Sequence, residues 1–328
     1  MNAFDLASPK SMEEAVELLG VPDAEALSGG TDLLNRLKDY VSSPKRVVYL
    51  KDVKELAGIS GDAGSGLTIG AGTRLADILA DPTIQESYPA IRGATLAVGT
   101  PQIRNMATVG GNLLQRPRCW YFRAGHGLLG MKDGKSLVRE GDNRLHAIFV
   151  TDGDALFVAP SNLAAPLIAL GAEATLVGPN GERTIPVKDL YRIPKNDRES
   201  ELTIAPGEIL VRVNIPPAKG KNATYETRQK QSHDWPMTLA SVNLSFDGDA
   251  VSKSRIVLLG VAPIPWRSEP AEAAIAGKAV TPENAEAAAK AAVADAKPLS
   301  MNAYKVALTQ TAVKRALLAA VGNRYWEA

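Results

Sequence analysis

Two segments with paired glycines are the strongest candidates for binding chemistry in this sequence. They are Leu27-Ser-Gly-Gly-Thr-Asp-Leu-Leu34 and Thr108-Val-Gly-Gly-Asn-Leu-Leu114. Paired glycines allow positive φ, so successive N–H groups can point into one concavity that binds phosphate oxygens. The missing Cβ atoms also let the backbone approach a pyrophosphate closely. Short polar side chains beside the glycines can add contacts or cap a following helix: Thr31, Asp32, Thr108 and Asn112.

Other kinds of site find less support in the sequence. A single Gly-Gly pair is most often a simple turn, and the dinucleotide fingerprint G-x-G-x-x-G is missing, which disfavours a Rossmann fold. The lone Cys119 has no disulfide partner and is too little for an iron–sulfur cluster, which needs about four thiolates. The histidines at 126, 146 and 233 match no zinc spacing. We therefore predict no metal site and no catalytic acid, base or nucleophile.

The composition of the chain indicates an ordinary globular protein without a charged binding surface. The 328 residues are 45% hydrophobic and 22% charged, with 37 Lys and Arg against 36 Asp and Glu. This balance predicts no nucleic-acid binding. The sequence contains no run of about eighteen apolar residues, so no membrane span is predicted. The first fifteen residues lack the basic and apolar regions of a signal peptide, so cytoplasm is the expected compartment.

Hydrophobic periodicity and turn residues predict two units before residue 217. The first, residues 1–55, has a helix opened by a capping box at Ser11 and ending at Leu19, a strand Ala24–Leu27, a helix Leu33–Asp39 and a strand Arg46–Leu50. The second, residues 56–217, begins with a strand from Gly66. Thr73 is expected to cap a helix Leu75–Ala80, another helix is expected at Pro89–Val98, and Gly99–Asn112 is expected to be turns.

Later parts of the second unit alternate between loop and regular structure. Residues 113–150 lack sustained periodicity and are interpreted as a long ordered insertion. After it we expect a strand Ala155–Ala159, a helix Leu163–Leu170, a hairpin turn at Asn180-Gly181 and a strand Gly207–Pro216.

A third unit, residues 222–328, follows a linker at Pro216–Gly220. Three alternating segments, Thr224–Lys230, Thr238–Phe246 and Arg255–Val261, predict an antiparallel meander. Ala-rich helices then run from about Pro270 to Ala296 and from Leu299 to Val321. Strands followed by helices indicate an α+β fold.

The order of several segments resembles one known family. SGGTDLL, followed about eighty residues later by ATVGGNLLQ, resembles the FAD-binding medium subunit of the xanthine dehydrogenase, aldehyde oxidoreductase and carbon monoxide dehydrogenase family of molybdenum hydroxylases. Further similar segments occur in the family's order: Gly66–Leu75, Pro160–Leu167, Gly207–Pro216 and Gly260–Arg267. The resemblance implies a two-subdomain FAD-binding fold of the PCMH or vanillyl-alcohol-oxidase type, followed by the C-terminal α+β domain.

The resemblance also implies which residues bind FAD. In that family the two Gly-Gly turns clamp the pyrophosphate, which carries over to Leu27, Ser28, Gly29, Gly30, Thr31, Asp32, Leu33 and Leu34, and to Thr108, Gly110, Gly111 and Asn112. The segment from Val98 to Thr100 matches one that lies against the cofactor. Asn162 stands where the family often has an acidic residue, and Ile209 and Leu210 match apolar positions beside the ring system. Arg228 and Lys230 match positions where a basic residue approaches the flavin, although solvated strand residues are the alternative.

The insertion is similar to a branch of the family whose medium subunits carry an extra [4Fe–4S] cluster in this loop. The present chain has Cys119 and no other cysteine there, so we expect a loop without the cluster and Cys119 as a small buried apolar side chain. Trp120, Tyr121 and Phe122 are interpreted as packing residues. Arg116, Arg118 and Arg123 are expected to meet acidic groups of a partner chain or the FAD phosphates.

These implications predict an electron-transfer subunit of a larger oxidoreductase, a heterotrimer in the family's usual form. A large partner would hold the molybdenum–molybdopterin cofactor, and a small partner would hold the [2Fe–2S] clusters. FAD here would pass electrons to NAD+, oxygen, a quinone or a small carrier. Two alternatives stay open: a stand-alone FAD-dependent oxidase or reductase, and a flavin-free structural subunit. Periplasmic export on a partner's twin-arginine signal is the alternative to the cytoplasm.

Overall fold

The N-terminal unit is built on a small parallel sheet. The computed structural model describes residues 1–231 and 233–327. Strands β1 (Asp5–Ala7), β2 (Ala24–Leu27) and β3 (Arg46–Tyr49) pair in the order β1-β3-β2, and the helices α1 (Met12–Leu19) and α2 (Leu33–Lys38) connect them. Two short 3₁₀ helices, Leu50–Asp52 and Lys54–Leu56, lead out of this sheet.

One of the two hydrogen bonds of the predicted capping box at the start of α1 forms as expected, and the other has a different donor. The Ser11 hydroxyl accepts a hydrogen bond from the Glu14 N–H at 3.2 Å, as expected for an N-cap. The Glu14 carboxylate accepts from the backbone N–H of Lys10 at 2.8 Å, one residue before the expected partner. Both bonds fix the entry of the chain into α1.

The second unit begins with two strands and a series of short helices. The strands are β4 (Ile59–Asp62) and β5 (Gly66–Gly70), and the helices are α3 (Leu75–Ala80), α4 (Pro82–Ser87), α5 (Pro89–Leu96), α6 (Pro101–Met106) and α7 (Val109–Leu113). Three of these helices start at a proline, whose fixed φ and missing N–H suit the first helical position.

Two expectations for this region were wrong. Thr73 does not cap α3, because its hydroxyl instead donates to the Gly58 carbonyl and accepts from the Gly58 N–H, at 3.0 and 2.9 Å. Residues 99–112, expected to be turns, contain α6 and α7. Thr100 and Thr108 cap these helices by accepting hydrogen bonds from the N–H groups three residues later. Their short length hides the helical period in the sequence.

The insertion is ordered and contains small elements of its own. It includes α8 (Trp120–Arg123), the hairpin strands β6 (Met131–Lys132) and β7 (Lys135–Ser136), and α9 (Leu137–Glu140). Residues 155–159 form no strand, contrary to the expectation. They run extended, and Ala159 donates to the carbonyl of Ala262, but no neighbouring strand pairs along their length.

A five-stranded antiparallel sheet completes the second unit. Helix α10 (Ala164–Leu170) precedes the hairpin β8 (Glu173–Gly178) and β9 (Gly181–Pro186), whose turn uses Gly181 at φ +94°. A 3₁₀ helix at Val187–Leu190 and an irregular stretch lead to β10 (Ile209–Ile215), and the strand order is β4-β5-β10-β8-β9. All seven residues of α10 are buried, because this helix lies between this unit and the next.

The C-terminal part is an antiparallel meander covered by helices, in the predicted order. The strands are β11 (Lys221–Thr227), β12 (Thr238–Asp247), β13 (Ala250–Leu259) and β14 (Trp266–Arg267), followed by α11 (Glu269–Ile275), α12 (Pro282–Ala291), α13 (Tyr304–Ala320) and a 3₁₀ helix at Tyr325–Glu327. Small buried side chains such as Ala288 and Ala316 let the helices approach closely. The three main sheets thus occupy residues 5–49, 59–215 and 221–267, and the unit boundaries at 55/56 and 217/222 stay a prediction.

Candidate cofactor-binding site

The two Gly-Gly turns, eighty residues apart in the sequence, meet in space. The first follows β2 and the second opens α7. The Thr108 hydroxyl donates to the Ser28 hydroxyl at 3.0 Å and accepts from the Gly111 N–H at 3.2 Å. A Cβ on Gly29 would lie 2.0 Å from the carbonyl oxygen of Met106. The first glycine is therefore required where the two turns touch.

The first turn presents backbone donors that no protein group uses. Gly30 has φ +75°, the left-handed conformation that allows successive N–H groups to converge. Within residues 1–231 and 233–327, the N–H groups of Gly29, Gly30 and Thr31 have no hydrogen-bond acceptor. Unpaired backbone donors at a helix start bind anions well, because the helix dipole also favours negative charge there.

Two clefts open on either side of these turns. The first cleft has about 810 Å³ of open space. Apolar side chains form the wall opposite the turns, among them Leu50, Leu56, Ile209 and Leu210. Leu27, Ser28, Gly29, Gly30, Thr31, Asp32, Leu33, Thr108, Gly110 and Gly111 also line it. The structure thus brings most of the predicted binding residues into one wall.

The second cleft, of about 910 Å³, extends from the same turns toward α6 and the loop before it. Thr31, Gly111 and Gln115 line both clefts, so the two clefts adjoin at the turns. Val98, Gly99 and Ile103 form part of the second wall, together with Asn112, Arg118 and Asn162. An elongated ligand with a central pyrophosphate matches two clefts that adjoin at an anion-binding turn.

Asn162 supplies a polar group suited to such a ligand. The residue is 1% exposed and lines the second cleft, and its side-chain Nδ2 has no hydrogen-bond partner among the described residues. A buried unpaired donor costs about 1–3 kcal/mol, which a ligand acceptor would offset. Asn112 holds this segment in place by accepting from Ser161 Oγ at 2.9 Å and Leu163 N at 3.2 Å. The donors, the glycine contacts and the adjoining clefts therefore fit FAD.

Asp32 organises a cluster of arginines beside the first turn. Its carboxylate forms ion pairs with Arg118, with Arg123 at 2.8 Å and with Arg36 at 3.3 Å, and it accepts from the Arg116 N–H at 3.0 Å. Burial raises the pKa of Asp32, but Arg118, Arg123 and the hydrogen bonds outweigh it and hold the pKa below its ordinary value. The carboxylate is therefore ionised at neutral pH.

This cluster changes the interpretation of the arginines in the insertion. Arg118 and Arg123 pair with Asp32, and Arg116 pairs with Glu201, so these guanidinium groups meet acidic groups of their own chain. Contact of these arginines with a partner's acidic groups or the FAD phosphates stays a prediction, and of the three only Arg118 lines the second cleft. The pairs attach the insertion to the first turn.

Four predicted residues do not line either cleft. Leu34 is 39% exposed on the outer side of α2, and Thr100 caps α6 next to the second cleft. Arg228 pairs with Glu226 at 2.9 Å, and Lys230 is exposed in the connection after β11. The structure does not bring these two basic residues to either cleft, although the same connection contributes Asp234 and Trp235 to the second cleft.

Cys119 is not the simple apolar packing residue that was expected. It is half-buried, and its Sγ lies 3.1 Å from Nε2 of His146. Burial raises the pKa of the Cys119 thiol, and burial also lowers the pKa of His146 to about 4. The pair is therefore a neutral thiol beside a neutral imidazole. Phe122 is buried as expected, whereas Trp120 faces a cavity.

Several lining residues were not predicted from the sequence. Ala71 and Gly72 follow β5, and Ala71 accepts from the Gly110 N–H at 2.7 Å, so this segment supports the second turn. The Gly70-Ala-Gly72 pattern was a usable signal for this role. Gln115 and Trp235 are single polar or aromatic residues without any motif, and only the fold brings them to the clefts.

Comparisons with known proteins agree with this geometry over nearly the whole chain. Residues 2–218 match the family described as FAD binding domain in molybdopterin dehydrogenase, and residues 223–320 match the CO dehydrogenase flavoprotein C-terminal domain. Aldehyde oxidoreductase FAD-binding subunit PaoB of Escherichia coli is 30% identical over 91% of this chain and 92% of its own. The carbon monoxide dehydrogenase medium chain of Hydrogenophaga pseudoflava is 32% identical over 97% of this chain and 96% of its own.

A solved structure shows the same fold. Carbon monoxide dehydrogenase from Hydrogenophaga pseudoflava superposes with a TM-score of 0.76 and 31% identity, covering 98% of each chain. Among the described residues, no three His, Cys, Asp or Glu side chains lie close enough together to hold a metal ion. No helix of residues 1–231 and 233–327 is both long and apolar enough to cross a membrane. With its fold, its two Gly-Gly turns and both of its matched domains, the chain belongs to the family of FAD-binding medium subunits of molybdenum hydroxylases.

Proposed function

We propose that this chain binds FAD across the two adjoining clefts and carries electrons as one subunit of a molybdenum hydroxylase. The main support is the contact between the two Gly-Gly turns, where the N–H groups of Gly29, Gly30 and Thr31 have no acceptor among residues 1–231 and 233–327. Those donors would hold the pyrophosphate, and Asn162 would hydrogen-bond the part of FAD in the second cleft. When bound, FAD supplies the ability to take electrons singly and to pass them on as a pair.

The partners follow from what this chain lacks. The sequence has one cysteine, whereas an iron–sulfur cluster needs about four thiolates. A small partner would therefore hold the [2Fe–2S] clusters, and a large partner would hold the molybdenum–molybdopterin cofactor and the substrate. The relatives called medium chain and FAD-binding subunit support this division of labour.

The substrate and the electron acceptor are narrower proposals. Relatives include an aldehyde oxidoreductase subunit, a putative xanthine dehydrogenase subunit and a 6-hydroxypseudooxynicotine dehydrogenase subunit, which supports an aldehyde, a purine or another N-heterocycle as substrate of the complex. NAD+, oxygen, a quinone or a small carrier would take the electrons. We propose the cytoplasm as compartment, with co-export to the periplasm as the alternative.

Purification of the native complex tests this proposal. We expect two further chains, molybdenum, iron and flavin in the complex, and substrate-dependent bleaching of the flavin absorbance. The isolated chain should keep FAD but show no bleaching with the same substrate, because the oxidising centre lies on a partner. Bleaching by the isolated chain would instead indicate a stand-alone FAD-dependent enzyme. A complex without flavin would indicate a structural subunit.

A further inference from the structure

A separate cavity lies between the insertion and the C-terminal sheet. This insertion cavity has about 1030 Å³ of open space, and its walls are mainly apolar and aromatic. They include Trp120, Phe157, Trp235 and Met237, and the polar groups in the wall include Cys119, His146, Gln229 and Asp234. Small-molecule sites in proteins have this character: a mostly apolar concavity with a few polar groups that fix the orientation of the ligand.

The wall that carries His146 is held rigidly. Lys305, 1% exposed at the start of α13, donates to the backbone carbonyls of His146 at 2.9 Å and Gly260. Asn302, fully buried, donates to the carbonyls of His146 and Ala147 at 3.1 and 3.0 Å. These bonds join the insertion to the C-terminal helices, so the cavity is part of the folded architecture.

One polar atom in the cavity wall lacks a partner. His146 is 2% exposed and its Nε2 faces Cys119. Its Nδ1 has no hydrogen bond of good geometry among the described residues, although the backbone of nearby Asn143 raises the pKa of the ring against the larger effect of burial. Because burial keeps this imidazole neutral, Nδ1 can exchange one hydrogen bond with an uncharged ligand. An unpaired buried nitrogen beside an open cavity is the feature that points to a ligand.

The charges around the cavity disfavour an anionic ligand. In the described part of the chain, the two cationic side chains in its wall are both engaged, Arg118 by Asp32 and Lys305 by backbone carbonyls. A nicotinamide dinucleotide would bring a pyrophosphate and would need a free cation or a free N–H nest there. The carboxylate of Asp234, also in the wall, further disfavours an anion. A planar, uncharged molecule with carbonyl oxygens fits the aromatic walls and the few polar positions.

The cavity adjoins the second cleft through one layer of side chains. Arg118, Asp234 and Trp235 line both spaces. The guanidinium of Arg118 lies over the indole of Trp235 at 4.8 Å from the ring centroid. A ligand in the insertion cavity would therefore lie beside the stacked pair that also borders the second cleft.

From these observations we infer that the insertion cavity binds a quinone as the electron acceptor, with a quinone carbonyl hydrogen-bonded at His146. The acceptor role rests on the proposed FAD site, whereas the binding site does not. The reaction balances: the quinone gains two electrons from the reduced cofactor and two protons and leaves as the quinol, and the cofactor returns to its oxidised form.

Calorimetric titration of the full chain with duroquinone tests the site. Duroquinone is fully methylated, so it offers no free ring position for addition of the Cys119 thiol. Val158, half-buried in the cavity wall, provides a matched pair of variants. We expect saturable binding of one duroquinone per chain in the native protein and in Val158→Ala. Binding should weaken at least tenfold in Val158→Trp, whose indole fills the space, and in His146→Phe, which keeps the ring and removes its nitrogens.

Folding and cofactor content are measured on the same samples. The FAD content and thermal midpoint of both Val158 variants should equal those of the native chain, since Val158 touches neither cleft. The site would be overturned by any of three results: no saturable binding of duroquinone, equal binding in Val158→Trp, or displacement of duroquinone by NAD+. Equal binding in His146→Phe would overturn the hydrogen bond. Duroquinone binding by a chain that fails to take up FAD would refute the proposed function and leave the site standing.

Discussion

At the scale of single residues, the glycines at the two turns have different reasons to be glycine. The fold requires glycine at position 29, because a Cβ on Gly29 would collide with the Met106 carbonyl. A Cβ added to Gly111 would contact only the Thr108 hydroxyl oxygen, at 3.1 Å. It would otherwise face the space at the border of the two clefts. Gly111 is thus required by the ligand more than by the fold, which allows the two roles to be separated.

Gly111→Ala should lose FAD without losing the fold. The added methyl group occupies the space next to the converging N–H groups, so we expect the dissociation constant for FAD to rise at least tenfold, about 1.4 kcal/mol. Fluorescence titration of the apo-chain with FAD measures it. Gly153→Ala is the control, since a Cβ there meets nothing within 4 Å. Equal FAD affinity in both variants would show that FAD does not pass this turn.

Asp32 is the carboxylate at the centre of the arginine cluster. Replacing it by Asn leaves Arg118 and Arg123 without their counter-ion, and we expect a loss of about 2 kcal/mol, below the usual cost of breaking a buried pair because Asn keeps one acceptor oxygen. Thermal unfolding should show a midpoint lowered by several degrees. Asp39→Asn, on the exposed end of the same helix, should leave the midpoint unchanged.

The effect of Asp32→Asn should also depend on pH. The folded-state pKa of Asp32 lies below its ordinary value of 3.8, so its stabilisation is fully present above that value and is lost as the pH falls through the folded-state pKa. The difference in midpoint between native chain and variant should therefore be constant from pH 7 to pH 5 and shrink in more acidic buffer. A difference that grows on acidification would refute the ion-pair account.

At the scale of elements, the insertion is attached at both of its ends. Ion pairs of Arg118 and Arg123 with Asp32 hold its beginning, and hydrogen bonds from Asn302 and Lys305 hold residues 145–147. This explains why a segment without sustained periodicity is nevertheless ordered. A hydrophobic cluster adds to this attachment, because Phe122, Leu128 and Leu129 of the insertion pack with Ala155 and Phe157 beyond it.

Asn302→Ala should release the end of the insertion. The Ala147 carbonyl loses its donor, while the His146 carbonyl keeps Lys305 as its second donor. We expect a cost of about 2 kcal/mol, and the amide hydrogens of residues 143–151 should exchange with solvent markedly faster. Hydrogen-exchange mass spectrometry measures the change. Asn323→Ala, on the exposed C-terminal end, serves as control. Unchanged protection of residues 143–151 would mean that other contacts hold the insertion.

The elements that the sequence predicted correctly are those set by local patterns. The α1 cap, the β8–β9 hairpin turn and the alternating strands β11 to β13 depend on residues close together in the chain. The segment 155–159 has strand-like composition, but the fold provides no edge for it to pair with, and no local signal could show this. Long-range pairs such as Asp32 with Arg118, or Cys119 with His146, were equally invisible, because each belongs to two distant segments.

At the scale of the whole molecule, the sheets and helices combine to place two adjoining clefts at one anion-binding turn. The paired turns were visible as candidates in the sequence, yet a Gly-Gly pair alone is weak evidence. Their contact through Thr108 and Ser28 makes them one site, and the matched domains over residues 2–218 and 223–320 connect that site to flavoproteins of one family. The arrangement leaves the oxidation of substrate to partner chains.

The cofactor content of the purified chain tests this account most directly. The full chain is saturated with FAD, separated from free FAD by gel filtration and denatured, and the released flavin is quantified against protein. The account predicts about one FAD per native chain, and strongly reduced FAD in Gly111→Ala at an unchanged thermal midpoint. A folded native chain that retains no flavin would contradict it.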